Sequence, residues 1–434
     1  MRRIGTALPT LLLALVAVVD GAPSHAAETD DRPRSDRLGV QAIRSEAVVD
    51  SYGVGIHTNY LDTPYRDTAA VAEAVADLGV RHVRDDLYLD APRQYAAIAA
   101  VAAAGAKFDL ILGRPGTGAK PVDYVDTVAQ LPAGAVESIE GVNEWDHFGG
   151  GDGWPREATA WQRGLAEAAR ADPATSGLPL LSPALAFGQN YPALGDLSPW
   201  SDVANAHAYP GADRPGAAVG PMIDALRGAV TGGPVVVTET GYHNAVNDRG
   251  SFRGVPEGVA GQYLPRLLLE HVLRGHARVY TYELIDEFDD PSHTDREANF
   301  GLLRHDLTPK PAYLAMRRLI GLLADDPPAA FEPGRLRVRT AGMPADGRRL
   351  LTQRSDGTYV LLLWRDVSVY DPAERVRTPV PRVPVTVRLR HPRKLTVHRV
   401  SADDAPARRS SARRVEVGLG AGAVAVVLGR RVGR

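Results

Sequence analysis

Two glutamates end two buried-looking runs of this chain. Residues 136–146 (VESIEGVNEWD) rise through an apolar stretch to Asn143, Glu144 and Trp145, and residues 234–241 (PVVVTETG) deliver Glu239 in the same way. A Glu at the end of a buried strand can give a proton to a glycosidic oxygen, and an Asn beside it can hold a sugar hydroxyl. Cleavage with retained configuration needs a second carboxyl about 5–5.5 Å away to act as nucleophile. Glu144 and Glu239 stand 95 positions apart in sequence, so only the fold can bring them face to face.

The pattern around them reads as such a fold. From residue 52 short apolar runs alternate with helical stretches, which predicts parallel strands with crossover helices. Strands are expected near 53–58, 80–85, 107–113, 136–143, 180–183, 203–207, 235–239 and 278–282. Helices are expected over 68–78, 92–104, 122–130, 157–171, 221–230, 258–274 and 311–322, with a short or irregular crossover near 191–194. Eight such pairs match a (β/α)8 TIM barrel of about 250 residues. A doubly wound open sheet is the alternative, disfavoured because no glycine-rich fingerprint follows the first strand. Beyond Asp326 the period changes to two, as in Arg335–Leu336–Arg337–Val338–Arg339, and turn signals separate several strands. That predicts a smaller C-terminal β-sandwich. The expected division is a signal peptide over 1–26, a linker and lead-in over 27–50, the catalytic barrel over 51–325 and the sandwich over 326–434.

Composition sets further bounds. Of the 434 residues 44% are hydrophobic and 24% charged, enough for a sizeable core. There is no cysteine, which excludes disulfides, a thiolate nucleophile and thiolate metal sites. No helical His-Glu-x-x-His pattern or histidine cluster points to a catalytic metal, and no cofactor is called for. Arg2-Arg3, an apolar-rich run over 7–19 and Ser24-His25-Ala26 have the form of a secretory signal, so the mature protein is expected to be extracellular, without a membrane span. The formal net charge of −2 gives the whole molecule no pull toward nucleic acid. Residues 326–434, however, hold 22 Lys+Arg against 10 Asp+Glu, a net of +12, which leaves −14 for residues 1–325. Arginines filling exposed strand faces would explain this; contact with an anionic cell wall or acidic polysaccharide is the sharper reading.

The active rim of such a barrel lies at the C-terminal ends of its strands. Standing there are His57, Arg84 with Asp85 and Asp86, Arg114, Asn143, Glu144, Trp145, His207, Tyr209, Glu239, Tyr282 and Glu283. Arg84 and Tyr209 are the candidates to keep the nucleophile ionised. The other residues expected to bind substrate are Asn143, Trp145, His57, His207, Tyr282 and Glu283. Glu140 is expected to tie up a barrel arginine, and the acidic loop 286–297 to be solvated.

These residues resemble the large clan of retaining glycosidases with the acid/base on strand four and the nucleophile on strand seven, of which glycoside hydrolase families 5 and 39 are members. The resemblance covers residues 52–322. It implies Glu144 as acid/base, Glu239 as nucleophile, and Tyr209, within His207-Ala208-Tyr209, as the hydroxyl bonded to the nucleophile. Residues 299–313 (NFGLLRHDLTPKPAY) are similar to the clan's run into the final helix, and residues 348–364 to its appended β-sandwich. Tyr282-Glu283 departs from the Trp that many members carry on strand eight, which leaves the sugar open. The expected function is a secreted retaining glycoside hydrolase acting on an oligo- or polysaccharide. A transglycosylase on the same scaffold and a non-catalytic carbohydrate- or wall-binding protein are the alternatives.

Overall fold

The structure, a computed structural model, describes residues 39–431 except 150, 218, 231, 326–327 and 402–407. The leader expected over 1–26 and the spacer over 27–38 lie outside the described residues. Eight parallel strands form the larger module: β1 (Tyr52–Gly55), β2 (His82–Asp86), β3 (Lys107–Ile111), β4 (Val136–Glu140), β5 (Leu180–Leu181), β6 (Ala204–His207), β7 (Val235–Thr240) and β8 (Arg278–Thr281). Each pairs with its neighbour in chain order, and β8 returns to pair with β1. A parallel bridge between Leu181 and Val203 joins β5 to β6 and closes the ring. It is a TIM barrel, as the alternation of strand and helix implied.

Helices α1 (Thr68–Leu78), α2 (Pro92–Ala103), α3 (Pro121–Val128), α4 (Trp154–Ala171), α5 (Pro221–Leu226), α6 (Glu257–Leu273) and α7 (Pro311–Leu323) cover the outside. Between β5 and β6 the described crossover is made of 3-10 turns, Gly188–Leu194 and Ser198–Trp200. The helix ends follow local chemistry. Asp67 accepts from the Ala70 N–H at 3.1 Å to start α1, and Gly79, at φ +80°, ends it with a left-handed turn that a side chain would strain. Strand residues Val83, Ile139 and Val237 are buried in the main hydrophobic core. Their neighbours Arg84, Glu140 and Thr238 belong to a polar network that links non-adjacent strands, so it must lie inside the ring.

The smaller module is a seven-stranded assembly, six antiparallel strands extended by one parallel strand from the lead-in. Its longest strand, Val383–Arg399, changes partners after an irregularity between Arg388 and Arg393, as a strand does when it turns between two layers. Strand Tyr359–Arg365 is buried on both faces. Tyr359, Leu361 and Leu363 join the sandwich core, while Val360, Leu362 and Trp364 join the core of the barrel. Trp364 donates Nε1–H to Glu270 Oε1 at 2.8 Å, and Arg266 Nη1 donates to the Arg365 carbonyl at 2.6 Å. The lead-in before the barrel is shared with the second module: Val40–Gln41 pairs with Arg335–Leu336, and Ile43–Arg44 with Gly347–Gln353.

Candidate active site

β4 ends at Glu140, but Asn143 still bridges Ala184 next to β5, which keeps the segment extended to the rim. Glu144 then takes a left-handed conformation, φ 45° and ψ 43°, at the start of the short helix Trp145–Phe148. Its N–H donates to the Ala184 carbonyl at 2.9 Å. A non-glycine residue in this region costs about 1–3 kcal/mol and is found where a side chain must be aimed. Glu239 comes from β7, where it is the cross-strand partner of His207 on β6.

The two carboxylates meet. One oxygen each of Glu144 and Glu239, together with a His207 ring nitrogen, lie within 4.8 Å of one another. That separation falls on the retaining side of the range, well short of the roughly 6.5–9.5 Å that leaves room for a water between the acid and the sugar.

Their environments differ. Glu239 is 9% exposed; Oε1 accepts from Arg84 Nη1 at 2.6 Å and Oε2 from the Tyr209 hydroxyl at 2.7 Å. Burial alone would raise its pKa, but the charges of His207 and Arg84 and these hydrogen bonds outweigh it and hold the carboxyl below the usual range. Among the described residues no arginine bonds Glu144; its bond is to His207 Nδ1, 2.7 Å from Oε1. Burial pulls the His207 pKa down, yet the charges of Glu239 and Glu144 carry it above its ordinary value. Arg84 Nη2 also donates to Asn143 Oδ1 at 2.8 Å, and Nε bonds Glu140. Arg84 is thus both brace and site residue, and Glu140 is the carboxylate that ties it down. Asn205, on β6, completes the brace by donating to Glu140, and it accepts from Thr238 at 2.8 Å. A polar residue inside the buried run VANAH was the signal for Asn205.

Above the pair opens a cavity of about 940 Å³. His57, Arg84, Asn143, Glu144, Trp145, His207, Tyr209, Glu239 and Tyr282 all line it. Trp145 is anchored there by an Nε1–H bond to Glu157 at 2.9 Å. His57 stacks on Tyr60, with centroids 4.3 Å apart and planes 9° apart. Tyr282 meets His57 and Phe300 edge-on at 5.5 and 5.2 Å, and Phe300 lies 5.8 Å from Tyr209. Tyr60, Phe252 and Phe300 extend this aromatic wall beyond the residues named from the sequence, and exposed Tyr88, Phe148 and Phe187 stand on its lining further out.

Two expectations need correction. Glu283 is not on the cavity wall: it is fully buried, accepts from the Tyr65 hydroxyl at 3.0 Å, and lies 3.2 Å from His57 Nε2. Burial pushes its carboxyl well above the usual range. Nor is the acidic loop 286–297 simply solvated. Asp286 is buried against Lys310 at 2.8 Å, Glu287 is buried, and Glu287 and Glu297 line the cavity, while Phe288, Asp289 and the stretch around Ser292 face water.

Among the described residues two groups have ligand atoms close enough for a cation: Glu144, His207 and Glu239, and His57, Glu283 and Glu287. In the first, Glu144 Oε1, His207 Nδ1 and both Glu239 oxygens already serve the hydrogen bonds described above. In the second, His57 Nε2 lies 3.2 and 4.0 Å from the two carboxylates without hydrogen-bond geometry.

No protein-family model matches the sequence, and no curated protein is similar to it in sequence. Solved structures are similar. A family 39 glycoside hydrolase from the gut symbiont Bacteroides cellulosilyticus WH2 superposes with a TM-score of 0.62 at 16% identity, over 89% of this chain and 82% of that one. A monomeric β-xylosidase from Caulobacter crescentus CB15 gives 0.61 at 17% identity, over 90% and 97%. A family 39 enzyme from Xanthomonas axonopodis pv. citri gives 0.59 at 15% identity, over 92% and 99%. At such identities the likeness is one of fold, and it runs through both modules: the chain has the architecture of the clan A, family 39 glycoside hydrolases that the residues of its barrel resemble.

Proposed function

We propose that this chain is a retaining glycoside hydrolase with Glu239 as nucleophile and Glu144 as acid/base. The observation that carries the reading is the unequal treatment of two carboxylates with oxygens within 4.8 Å of each other. Arg84 and the Tyr209 hydroxyl are both bonded to Glu239, which stays ionised, while Glu144 bonds His207 and stands beside it as the proton donor. A Glu239 oxygen attacks the anomeric carbon as Glu144 protonates the departing oxygen, giving a covalent glycosyl ester. Glu144, now a base, takes a proton from the incoming water, and the water attacks the same carbon to free Glu239. Asn143, its Oδ1 held by Arg84, keeps its amide N–H groups for a sugar hydroxyl. The His57, Tyr60, Tyr282 and Phe300 rings offer apolar faces to the sugar C–H groups. No step calls for a cofactor. A binding-only protein has no use for two carboxylates held at this distance, one of them bonded to a buried arginine.

The test is to trap the ester. A 2-fluoro glycoside with a good leaving group, starting with the xyloside, should add one glycosyl mass to the peptide carrying Glu239. Hydrolysis should fall by at least about 10⁴-fold in Glu239→Gln, and azide should partly restore turnover in Glu144→Ala as a glycosyl azide of retained configuration. Wild-type rates in both variants would end the assignment. Adding a sugar acceptor and analysing the products separates hydrolysis from transglycosylation. We also propose that residues 1–26 direct export; recovery of the intact N-terminus from the culture medium or the cytoplasm alone would overturn that.

A further inference from the structure

The proposed chemistry makes no use of a second concavity, of about 320 Å³, in the C-terminal module. Arg335, Arg337, Arg390, Arg393, Arg431 and His391 line it, and among the described residues no carboxylate does. It is a built feature. Arg393 is 8% exposed, its guanidinium sits 5.3 Å over the Tyr359 ring, and Nη1 donates to the Gly429 carbonyl at 2.7 Å. Arg335 is held by the Gln41 side chain and the Gly39 carbonyl, so the lead-in helps to frame the rim. The irregularity in strand Val383–Arg399 falls between Arg388 and Arg393, which places Arg390 and His391 at the edge of the cavity. Arg393 and Arg431 are direct cross-strand partners. Like charges placed opposite one another on neighbouring strands destabilise a sheet. A ring of such charges with a buried member has a physical purpose if an anion belongs between them.

We propose that this cavity binds the carboxylate groups of an acidic polysaccharide, apart from the catalytic site. Guanidinium forks match planar carboxylates through paired hydrogen bonds, and the net charge of +12 over residues 326–434 attracts a chain that carries many of them. That the anion is borne on a saccharide rests on the glycosidase reading above.

The test uses the full-length Glu239→Gln chain, so that binding is read apart from turnover. Oligogalacturonate should bind, with an affinity that falls steeply with salt, and a neutral xylo-oligosaccharide of equal length should not compete for it. Replacing exposed Arg337, Arg390 and Arg431 together by Gln should weaken binding at least about tenfold. Replacing Arg349, Arg377 and Arg382 by Gln removes the same charge from elsewhere in the module and should cost about threefold at most. Matched circular dichroism and melting of the two triple variants exclude misfolding as the cause. Equal losses in both would make the attraction diffuse and overturn the site. Equal binding of single-stranded DNA or polyphosphate would overturn the saccharide. If Glu239→Gln still hydrolyses glycosides, the catalytic reading fails while the binding result stands by itself.

Discussion

Arg84 donates from Nη1 to Glu239 Oε1 across 2.6 Å, although 155 residues separate them in the chain. The same guanidinium reaches Asn143 and Glu140, so one planar cation fixes residues from β4 and β7 relative to β2. Burial lowers the Arg84 pKa, but Glu140, Glu239 and Asp109 more than compensate, and the group stays charged. A lysine cannot replace this fork, because its single ammonium cannot satisfy three acceptors in one plane.

Arg84→Met should therefore cost both activity and stability. It leaves Glu140 and Glu239 buried without their cation, a loss of about 3–5 kcal/mol by analogy with other broken buried pairs, and kcat/KM should drop by about a hundredfold or more. The pH dependence has a definite sign. Glu239 is depressed in the folded protein, so the stability its ionised form contributes is present above the unfolded pKa and is lost as pH falls through the folded one. Without Arg84 the folded pKa rises, and the acid limb of kcat/KM must move to higher pH. Urea unfolding and a pH–rate profile measure the two effects; an unmoved acid limb would mean that Arg84 does not set the state of Glu239.

Tyr209→Phe isolates the second donor. The hydroxyl bonds Glu239 Oε2 at 2.7 Å, and the ring packs edge-on to Phe252 at 5.6 Å, a contact that Phe keeps. Stability should change by about 1 kcal/mol or less. Turnover should fall by about tenfold to a hundredfold, with a smaller upward move of the acid limb than in Arg84→Met. Steady-state kinetics beside a melting curve would show it.

How much of this could be read beforehand follows from the range of the forces. The barrel was legible because each strand and each amphipathic helix carries its own period: α1 begins and ends where Asp67 and Gly79 dictate. Glu144 and Glu239 were legible because each closes an apolar run, so each had to surface at a rim. The place of Glu283 is not legible, because adjacency to Tyr282 does not say which side of the wall a side chain takes, and Tyr65, its partner, lies 218 positions away. Nor is that of Asp286, since its cation, Lys310, arrives 24 residues later. The two-residue strands of the lead-in have no period to read; only their partners in the sandwich define them.

Trp364 tests whether the modules fold as one. Its ring is fully buried with the barrel core, and its Nε1–H satisfies Glu270 on α6. Trp364→Ala should destabilise the protein by about 3–5 kcal/mol. It should also lower a single melting transition and leave no residual barrel transition at the old temperature. Two separated transitions, with the upper one unchanged, would show that the barrel stands without the sandwich.

Lys310 supplies the last case. Its ammonium is almost wholly buried, 2.8 Å from Asp286 Oδ1 and 3.1 Å from Asn244 Oδ1. Burial raises the Asp286 pKa to about 6, although Lys310 and the Gly301 N–H pull it down. Lys310→Met removes the larger of these restraints, so the Asp286 pKa must climb further. A carboxyl raised in the folded state binds more protons there than when unfolded, so its contribution to stability falls as pH rises from the unfolded value through the folded one. The deficit of the variant should then be modest near about pH 5 and grow to about 3–5 kcal/mol near about pH 8. Lys310→Met with Asp286→Leu should recover much of it at the higher pH, because two apolar side chains leave no uncompensated charge. Urea titrations of the wild type, both single variants and the double variant at the two pH values give the coupling directly. A deficit independent of pH, or a double variant no better than the single, would show that packing of the lysine stem holds this loop and that the ion pair does not.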